Sequence, residues 1–525
     1  MRKFVQVVAL ICCLCSLPNL AEAKGKLLYI PLDNRPVCLS YVVGTLEAAG
    51  YELILPPAEL IASNTNEVST DKLWHWLEVN APQATCAVLA TDSLVYGGLV
   101  PSRMHQTSEP ELLYTVDKFN QLKQDNPQLK IYAFSTLMRT PHQSFGGVEP
   151  SYYASCGPDI FALSALYDLE DLRPLTAKEA QRKRELLVRL PKKYLNDWYH
   201  RRQKNYRVNE QLAYLTQQQV FHYFAVGKDD NAPLSQTHLE SRRLSRYTQE
   251  LAVSHFQILP GVDQLGLLLL TRAINEMNHT RPHIYALYPA GQGAHTLPLY
   301  SDQRFNTSVP DQIRALGGLP TGNIRASDLV LALNTPFNGV TQDSTASDNQ
   351  PFASLHNKQF VHELQTLVTK HPVALADVSY ANGADNGFMQ ELARQQLLGK
   401  LVAYSGWNTA DNSVGYALAQ GVLSAQMTTA AREELLRIRY VDDWFYQANS
   451  RSLFSKFMDK YDWKLKYDLG EHHQAILQAS EKFCSTLAQQ YAFTKTRHYA
   501  LSFPWNRLFE IEVEVELAPA TPKRT

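Results

Sequence analysis

Short apolar runs alternate with longer amphipathic segments along most of the chain. Helical periodicity is clearest over Glu109–Gln124, Gln236–Ser254 and Asn357–Thr369. The apolar runs between such segments are bounded by Gly, Pro, Asn or Asp, which favours strands. The predicted strands are Leu27–Ile30, Glu52–Leu55, Cys86–Ala90, Lys130–Ser135, Val220–Val226, Phe256–Leu259, His283–Leu287, Asp328–Leu333, Pro372–Ala376 and Leu401–Tyr404. This alternation predicts an α/β fold.

Most of these runs are continuous rather than alternating, which is typical of parallel strands covered on both faces. Ten predicted strands exceed the eight of a simple β/α barrel. We therefore expect a barrel-like parallel β/α core with two strands in an extension. The alternative is a doubly wound α/β fold with one or two open sheets.

Two regions interrupt the alternation. Residues 150–215 lack a strand pattern, and Thr176–Arg207 is rich in Lys, Arg, Gln and Glu, which predicts a helical insertion. Residues 426–525 are mostly helical and end in Phe509–Leu517, whose period of two is typical of a sheet with one solvated face. We expect residues 24–425 to form the α/β catalytic-type domain and residues 426–525 an extension of it.

The first 23 residues have the pattern of a secretory signal peptide. Arg2 and Lys3 precede the apolar stretch Val5–Leu17, and Ala21 and Ala23 supply a small-residue cleavage site. No other apolar stretch is long enough for a transmembrane helix. We expect cleavage after Ala23 and a periplasmic or secreted protein without a membrane span.

Composition narrows the classes of function. A formal net charge of −1 gives no indication of a nucleic-acid partner. The sequence contains neither a Gly-x-Ser-x-Gly nucleophile elbow nor a phosphate-binding Gly-x-x-x-x-Gly-Lys loop. The histidines show no zinc-binding spacing. We expect no cofactor and assign no metal ligands, although an Asp-based Mg²⁺ or Ca²⁺ site stays open.

The best candidate for catalytic chemistry follows the fifth predicted strand. Val220–Val226 is succeeded by Gly227 and then by two adjacent acids, Asp229 and Asp230. Carboxyl ends of parallel strands line the ligand crevice in α/β folds, and paired acids there can perform acid/base chemistry. We expect Asp230 to act as a general acid, with Asp229 orienting it or stabilising developing positive charge. We expect a second catalytic carboxylate from Asp92 or Asp263.

Other predicted strand ends carry similar polar clusters. The expected substrate-binding residues are Asp33, Arg35, Tyr96, Arg103, Arg139, Asn382, Asp385, Trp407 and Asn408. Helix capping and turns explain isolated Asp, Asn and Gly residues, but they require neither Trp nor Arg. Guanidinium groups suit bidentate pairing with carboxylates. We therefore expect the three arginines to converge on one face, where they bind substrate or hold the catalytic acids.

These stretches, taken together, resemble a bacterial family known as domain-of-unknown-function family 4127. The similar segments are Pro31–Pro36, Tyr96–Arg103, Asp229-Asp230, Asn382–Asp385, Tyr404–Asn412, Asp442–Gln447 with Arg451, and Pro504–Glu510. They occur in order over nearly the whole chain after the signal peptide. The resemblance implies that the late segments around Trp444 and Trp505 belong to the same functional unit, and it implies no particular activity.

The leading hypothesis is an exported hydrolase that cleaves glycosidic bonds. Such cleavage needs two carboxylates and no cofactor, and aromatic residues such as Trp407 and Tyr96 could stack on sugar rings. One alternative is a divalent-metal-dependent hydrolase of phosphate or amide bonds. Another is a protein that binds carbohydrate or cell wall without catalysis. In each case the partner is a small molecule or an oligosaccharide.

Overall fold

The computed structural model describes residues 26–64, 68–145 and 147–517, so the predicted signal peptide lies outside the described residues. It confirms an α/β protein with parallel sheets. The strands are β1 (Lys26–Ile30), β2 (Glu52–Ile54), β3 (Cys86–Ala90), β4 (Lys130–Leu137), β5 (Tyr223–Lys228), β6 (Phe256–Pro260), β7 (His283–Leu287), β8 (Leu319–Pro320), β9 (Leu329–Asn334), β10 (Gln342–Asp343), β11 (Val373–Asp377), β12 (Tyr380–Ala381), β13 (Ala403–Ser405), β14 (Arg497–Ser502) and β15 (Glu512–Leu517).

Helices connect most of these strands. They are α1 (Ser40–Ala48), α2 (Thr70–Asn80), α3 (Thr91–Tyr96), α4 (Leu99–Ser102), α5 (Glu109–Asp125), α6 (Tyr153–Leu172), α7 (Ala177–Arg189), α8 (Lys192–Gln217), α9 (Gln236–Glu250), α10 (Leu265–Met277), α11 (Phe305–Ala315), α12 (Leu355–Leu367), α13 (Asn386–Arg394), α14 (Ala410–Leu423), α15 (Thr429–Arg439), α16 (Arg451–Tyr461) and α17 (His473–Ala488). The segment Tyr440–Ser450, between α15 and α16, is a π-helix.

Two parallel sheets organise the chain. The first has the strand order β2-β1-β3-β4-β5-β6, and the second has the order β13-β11-β9-β7-β8. All strand pairs within these two sheets are parallel. Hydrogen bonding among the described residues thus gives two open sheets, as in the doubly wound alternative, and we detect no closed barrel in it.

All ten predicted strands occur in these sheets, with ends displaced by a few residues. The prediction was accurate because most of the strands are buried on both faces, as β3 and β9 are over their whole length. A buried parallel strand needs a continuous apolar run, and such a run can be identified from the local sequence.

Helices α10 and α14 fill the space between the two sheets. Helix α10 packs on β3 and β4, α14 packs on β9, β11 and β13, and the two helices contact each other. One apolar core joins both sheets through them, including Leu268 of α10 and Val414 of α14. This packing brings the carboxyl ends of strands from both sheets to the walls of a common cleft.

The insertion and the extension lie beside this core. Helices α6, α7 and α8 occupy most of residues 150–215, as predicted for a helical insertion. The last strand, β15, pairs antiparallel with β14. Among the described residues no helix has the length and apolarity needed to cross a membrane. Cys38, Cys86, Cys156 and Cys484 are free thiols.

Candidate functional site

A cleft of about 700 Å³ opens at the carboxyl ends of β4, β5 and β6. Its opposite wall comes from loops of the second sheet, the start of α16 and the segment before β15. Cleft-lining charged residues are Arg35, Arg103, Arg139, Asp229, Asp230, Asp263, Asp343, Arg451, Lys466 and Arg507. Ligands of α/β proteins bind outside the carboxyl ends of strands, which makes this cleft the candidate site.

Arg35 ties together two carboxylates from different strand ends. Its Nη2 donates to Asp33 Oδ2 at 2.8 Å and to Asp263 Oδ1 at 2.7 Å, and its Nη1 donates to Asp263 Oδ2 at 3.1 Å. Asn408, after β13, donates its Nδ2 to the same Asp263 Oδ2 at 2.8 Å. The Asp263 carboxylate therefore links the two sheets, and these three hydrogen bonds, with a fourth from Cys38 Sγ at 3.8 Å, fix its orientation.

The adjacent acids after β5 each pair with a different arginine. Asp229 Oδ2 lies 2.5 Å from Arg103 Nη2, and Asp230 Oδ2 accepts from Arg139 Nη1 at 2.8 Å. Buried Glu149 accepts from Arg139 Nε at 2.7 Å and lies 3.6 Å from Arg103 Nη1. Glu149 thus joins the two arginines that pair with Asp229 and Asp230.

Burial raises the pKa of two carboxyl groups on this wall. The pKa of Asp230 is raised by desolvation and by the charge of Asp229, against the lowering effects of Arg139 and Arg103. The pKa of Asp263 rises to about 6 because desolvation outweighs the attraction of Arg35. A protonated and an ionised carboxyl group can therefore coexist here near neutral pH.

Three cleft residues have left-handed backbone conformations that side chains rarely adopt. The φ angles are 26° at Asp230, 65° at Tyr300 and 61° at Asn382. Strain of this kind persists where the surrounding structure enforces it, and it clusters at functional sites. At Asp230 the turn follows directly after β5 and sets the direction of the side chain.

The second wall is built around β10 and β12. Their pairing places Asp343 opposite Ala381, and Asn382 donates its Nδ2 to Asp343 Oδ2 at 2.9 Å. Arg451, the first residue of α16, donates to Asn382 O at 2.7 Å and Ser344 Oγ at 3.0 Å. This wall therefore combines amide, carboxylate and guanidinium groups.

The π-helix supports the cleft loop after β13. Asp443 Oδ2 accepts from the backbone N–H of Gly406 at 2.6 Å and from Arg439 Nη2 at 2.9 Å. Arg439 also donates to Trp407 O at 2.9 Å. These contacts fix the loop that carries Asn408 into the cleft. The π-helix is therefore part of the structure that positions the site.

Aromatic rings also line the cleft. They are Phe145, Phe161, Tyr300, Tyr467, Trp505 and Phe509. Tyr300 is 41% exposed, whereas Trp505 is buried beneath the guanidinium of Arg35, whose Cζ lies 5.2 Å from the ring centroid. Tyr300 is exposed and Phe145, Phe161, Tyr467 and Phe509 are half-buried, so these rings retain surface for a ligand.

Comparison with known protein families gives a match over nearly the whole chain. The sequence model of a family described as protein of unknown function (DUF4127) matches residues 27–514. The chain belongs to this family. No curated protein and no solved structure matches the chain.

The structure brings eight of the predicted site residues to the cleft lining. They are Arg35, Arg103, Arg139, Asp229, Asp230, Asp263, Asn382 and Asn408. The three arginines come from three loops, and each binds one of the cleft aspartates. Their functional roles stay predictions.

Five predicted site residues lie outside the lining. Asp33 is buried behind Arg35, and Asp92 is buried beneath β4, where Oδ2 accepts from Thr136 N at 3.0 Å. Tyr96 packs against His105, and Asp385 caps α13 by accepting from Phe388 N. Trp407 is 1% exposed and packs on Phe509, so it offers no surface for a sugar ring. The expected roles of Asp92 in catalysis and of Trp407 in stacking have no support from these positions.

Sequence reasoning did not select several residues that build the cleft. Glu149, Tyr300 and Asp343 follow no strand-end pattern, so no local signal identifies them. Arg451 and Trp505 lie in segments that resemble the family, and this resemblance could have identified them as site residues. Among residues 26–64, 68–145 and 147–517, no group of three or more His, Cys, Asp or Glu side chains has the arrangement of a metal site.

Proposed function

We propose that this protein is an exported hydrolase that cleaves glycosidic bonds in its cleft. The observation that carries the proposal is the pair of carboxyl groups, Asp230 and Asp263, at the ends of the adjacent strands β5 and β6. Both have a raised pKa in a cleft lined by amides and aromatic rings. Glycoside hydrolysis requires two carboxyl groups in different protonation states.

Asp230 is the proposed general acid. Its side chain is 27% exposed, and the negative charge of Asp229 favours its protonated form. Asp263 is the proposed ionised partner, acting as base or nucleophile, because the Arg35 guanidinium and the Asn408 amide donate hydrogen bonds that stabilise its charge. Asp263 takes the second catalytic position because Asp92 is outside the cleft lining.

Turnover of a panel of aryl glycosides by the purified protein tests this proposal. Asp230→Asn should reduce turnover by roughly 10²–10⁴-fold, with a smaller loss on substrates whose leaving group needs no proton. Asp117→Asn, which changes an exposed acid on α5, is the matched control and should retain full activity. Undiminished turnover by Asp230→Asn on glycosides whose leaving group requires protonation would refute the assignment of the acid.

One observation favours a second candidate, a carbohydrate-binding protein without catalysis. Asp229, Asp230 and Asp263 are each already paired with an arginine, an arrangement that could serve only to hold the cleft in shape. In that case oligosaccharides would bind with measurable heat, and the same preparations would release no product during prolonged incubation.

A further inference from the structure

Arg451 differs from the other arginines that line the cleft. It is 8% exposed, and the described hydrogen bonds of its guanidinium run to neutral oxygens, Ser344 Oγ and Asn382 O. Asp343 Oδ1 is 3.9 Å from Arg451 Nη2, beyond hydrogen-bonding distance. Its Nε is buried and has no acceptor among the described residues. Arg451 is therefore a buried cation without a hydrogen-bonded counterion in that part of the chain.

The remaining cleft arginines each donate to at least one carboxylate. These pairs are Arg35 with Asp33 and Asp263, Arg103 with Asp229, Arg139 with Asp230 and Glu149, and Arg507 with Glu510. Burying a guanidinium is costly unless an anion is hydrogen-bonded to it. The lack of a hydrogen-bonded carboxylate at Arg451 distinguishes it from these arginines, whose carboxylate pairs hold the cleft together.

Two further basic side chains lie on the same wall as Arg451. Arg507 and Lys466 line the same part of the cleft, and the Cζ atoms of Arg451 and Arg507 lie 5.7 and 5.6 Å from the ring centroid of Phe509. Asp343, the nearest acid, has its oxygens engaged by Asn382 Nδ2 and by the N–H and Oγ1 of Thr345. Arg507 is paired with Glu510 and Lys466 with Asp459, so among the described lining residues Arg451 is the cation that lacks a hydrogen-bonded carboxylate.

We propose that Arg451 binds an anionic substituent of the ligand, so that the cleft selects acidic rather than neutral glycans. The anion would be a carboxylate, as in a uronic acid, or a sulfate ester, since both present oxygens to a planar guanidinium. Phe509, half-buried beside Arg451, would contribute apolar surface to the sugar that carries the group. The inference rests on the proposed function only in assuming that a sugar occupies the cleft.

Equilibrium binding measured by titration calorimetry tests this selectivity without requiring turnover. The probes are oligosaccharides of galacturonate, of alginate and of hyaluronan, each compared with its carboxyl-reduced form, and sulfated heparin fragments compared with desulfated ones. At least one acidic probe should bind the wild-type protein about tenfold to hundredfold more tightly than its neutral counterpart, the usual effect of a charge-assisted hydrogen bond. The carboxylate and sulfate comparisons distinguish the two sources of charge.

Variants then locate the selectivity. Arg451→Gln should abolish the preference and leave the affinity for the neutral counterpart within about threefold. Arg451→Lys keeps the positive charge but loses the planar guanidinium, so it should retain part of the preference for acidic probes. Lys456→Gln removes the same charge from an exposed position on α16 and should leave the preference unchanged.

Two results would overturn the proposal. One is equal or weaker binding of every acidic probe relative to its neutral form by the wild-type protein. The other is a preference that survives Arg451→Gln. Failure of the proposed glycosidase activity would give a different result. Acidic glycans would then bind with Arg451-dependent selectivity but remain uncleaved.

Discussion

Asp92 allows a quantitative test of how burial controls the carboxyl groups near the cleft. It is 1% exposed, and desolvation raises its pKa from the ordinary 3.8 to about 7, with Asp229 adding to the increase. Hydrogen bonds from Thr136 oppose the rise but do not cancel it. The perturbation is Asp92→Asn, because an amide oxygen can still accept from Thr136 N while carrying no charge.

The sign and size of the effect follow from proton linkage. The pKa is higher in the folded than in the unfolded chain, so the folded chain retains a proton that the unfolded chain releases. The stability that this group confers is fully present below about pH 4 and is lost as pH rises through about 7. Each pKa unit corresponds to about 1.4 kcal/mol, which gives a loss of about 2.5 kcal/mol between about pH 5 and about pH 8.

The assay is urea unfolding of the wild-type protein and of Asp92→Asn at both pH values. The variant should lack this part of the pH dependence, so its stability relative to wild type should increase by about 2.5 kcal/mol from the lower to the higher pH. Asp117→Asn, on the exposed surface of α5, should show no such change. Parallel pH profiles of Asp92→Asn and wild type would refute the reasoning.

Three further outcomes are expected. Gly227→Ala should cost about 1–3 kcal/mol in urea unfolding, because its Cβ would lie 2.5 Å from Gly261 O, whereas Gly322→Ala meets no atom within 4 Å and should be nearly neutral. Arg35→Lys should destabilise the protein by about 2–4 kcal/mol, because a single ammonium group cannot replace a guanidinium that hydrogen-bonds to two buried carboxylates. Unchanged urea unfolding of this variant would contradict the prediction. We predict export with cleavage after Ala23, so intact-mass analysis of the protein recovered outside the cytoplasm should give a chain beginning at Lys24, and a retained N-terminus would contradict this.

The strands and their polar ends could be read from the sequence with good accuracy. Most strands of the two main parallel sheets are short and largely buried, and their apolar runs and terminating Gly, Pro or Asp are local features, as in Phe224–Gly227 followed by Asp229. The exception is β8, a two-residue edge strand without an apolar run, which the sequence did not predict. The convergence of Arg35, Arg103 and Arg139 followed from the same information, because carboxyl ends of parallel strands share an edge. These predictions needed only the rule that parallel strands point the same way.

The partition of the strands into two sheets was decided by tertiary packing. Continuous apolar runs identify parallel strands but contain no record of which strand pairs with which. Helices α10 and α14, placed between the sheets, determine that the chain forms two open sheets with a common cleft. Helices with the same apolar surface also cover the strands of a β/α barrel. The sequence therefore does not distinguish a barrel from two open sheets.

The burial of each strand-end carboxylate was likewise decided only by the folded structure. Asp92 and Asp230 both follow buried strands, yet Asp92 lies in the first turn of α3 beneath β4, whereas the left-handed turn at Asp230 leaves its side chain in the cleft. Asp343 reaches the cleft through the pairing of β10 with β12, residues distant in sequence. The sequence by itself therefore determined which residue types stand at the strand ends. Tertiary packing determined which of them meet and which face water, because burial depends on elements that are remote along the chain.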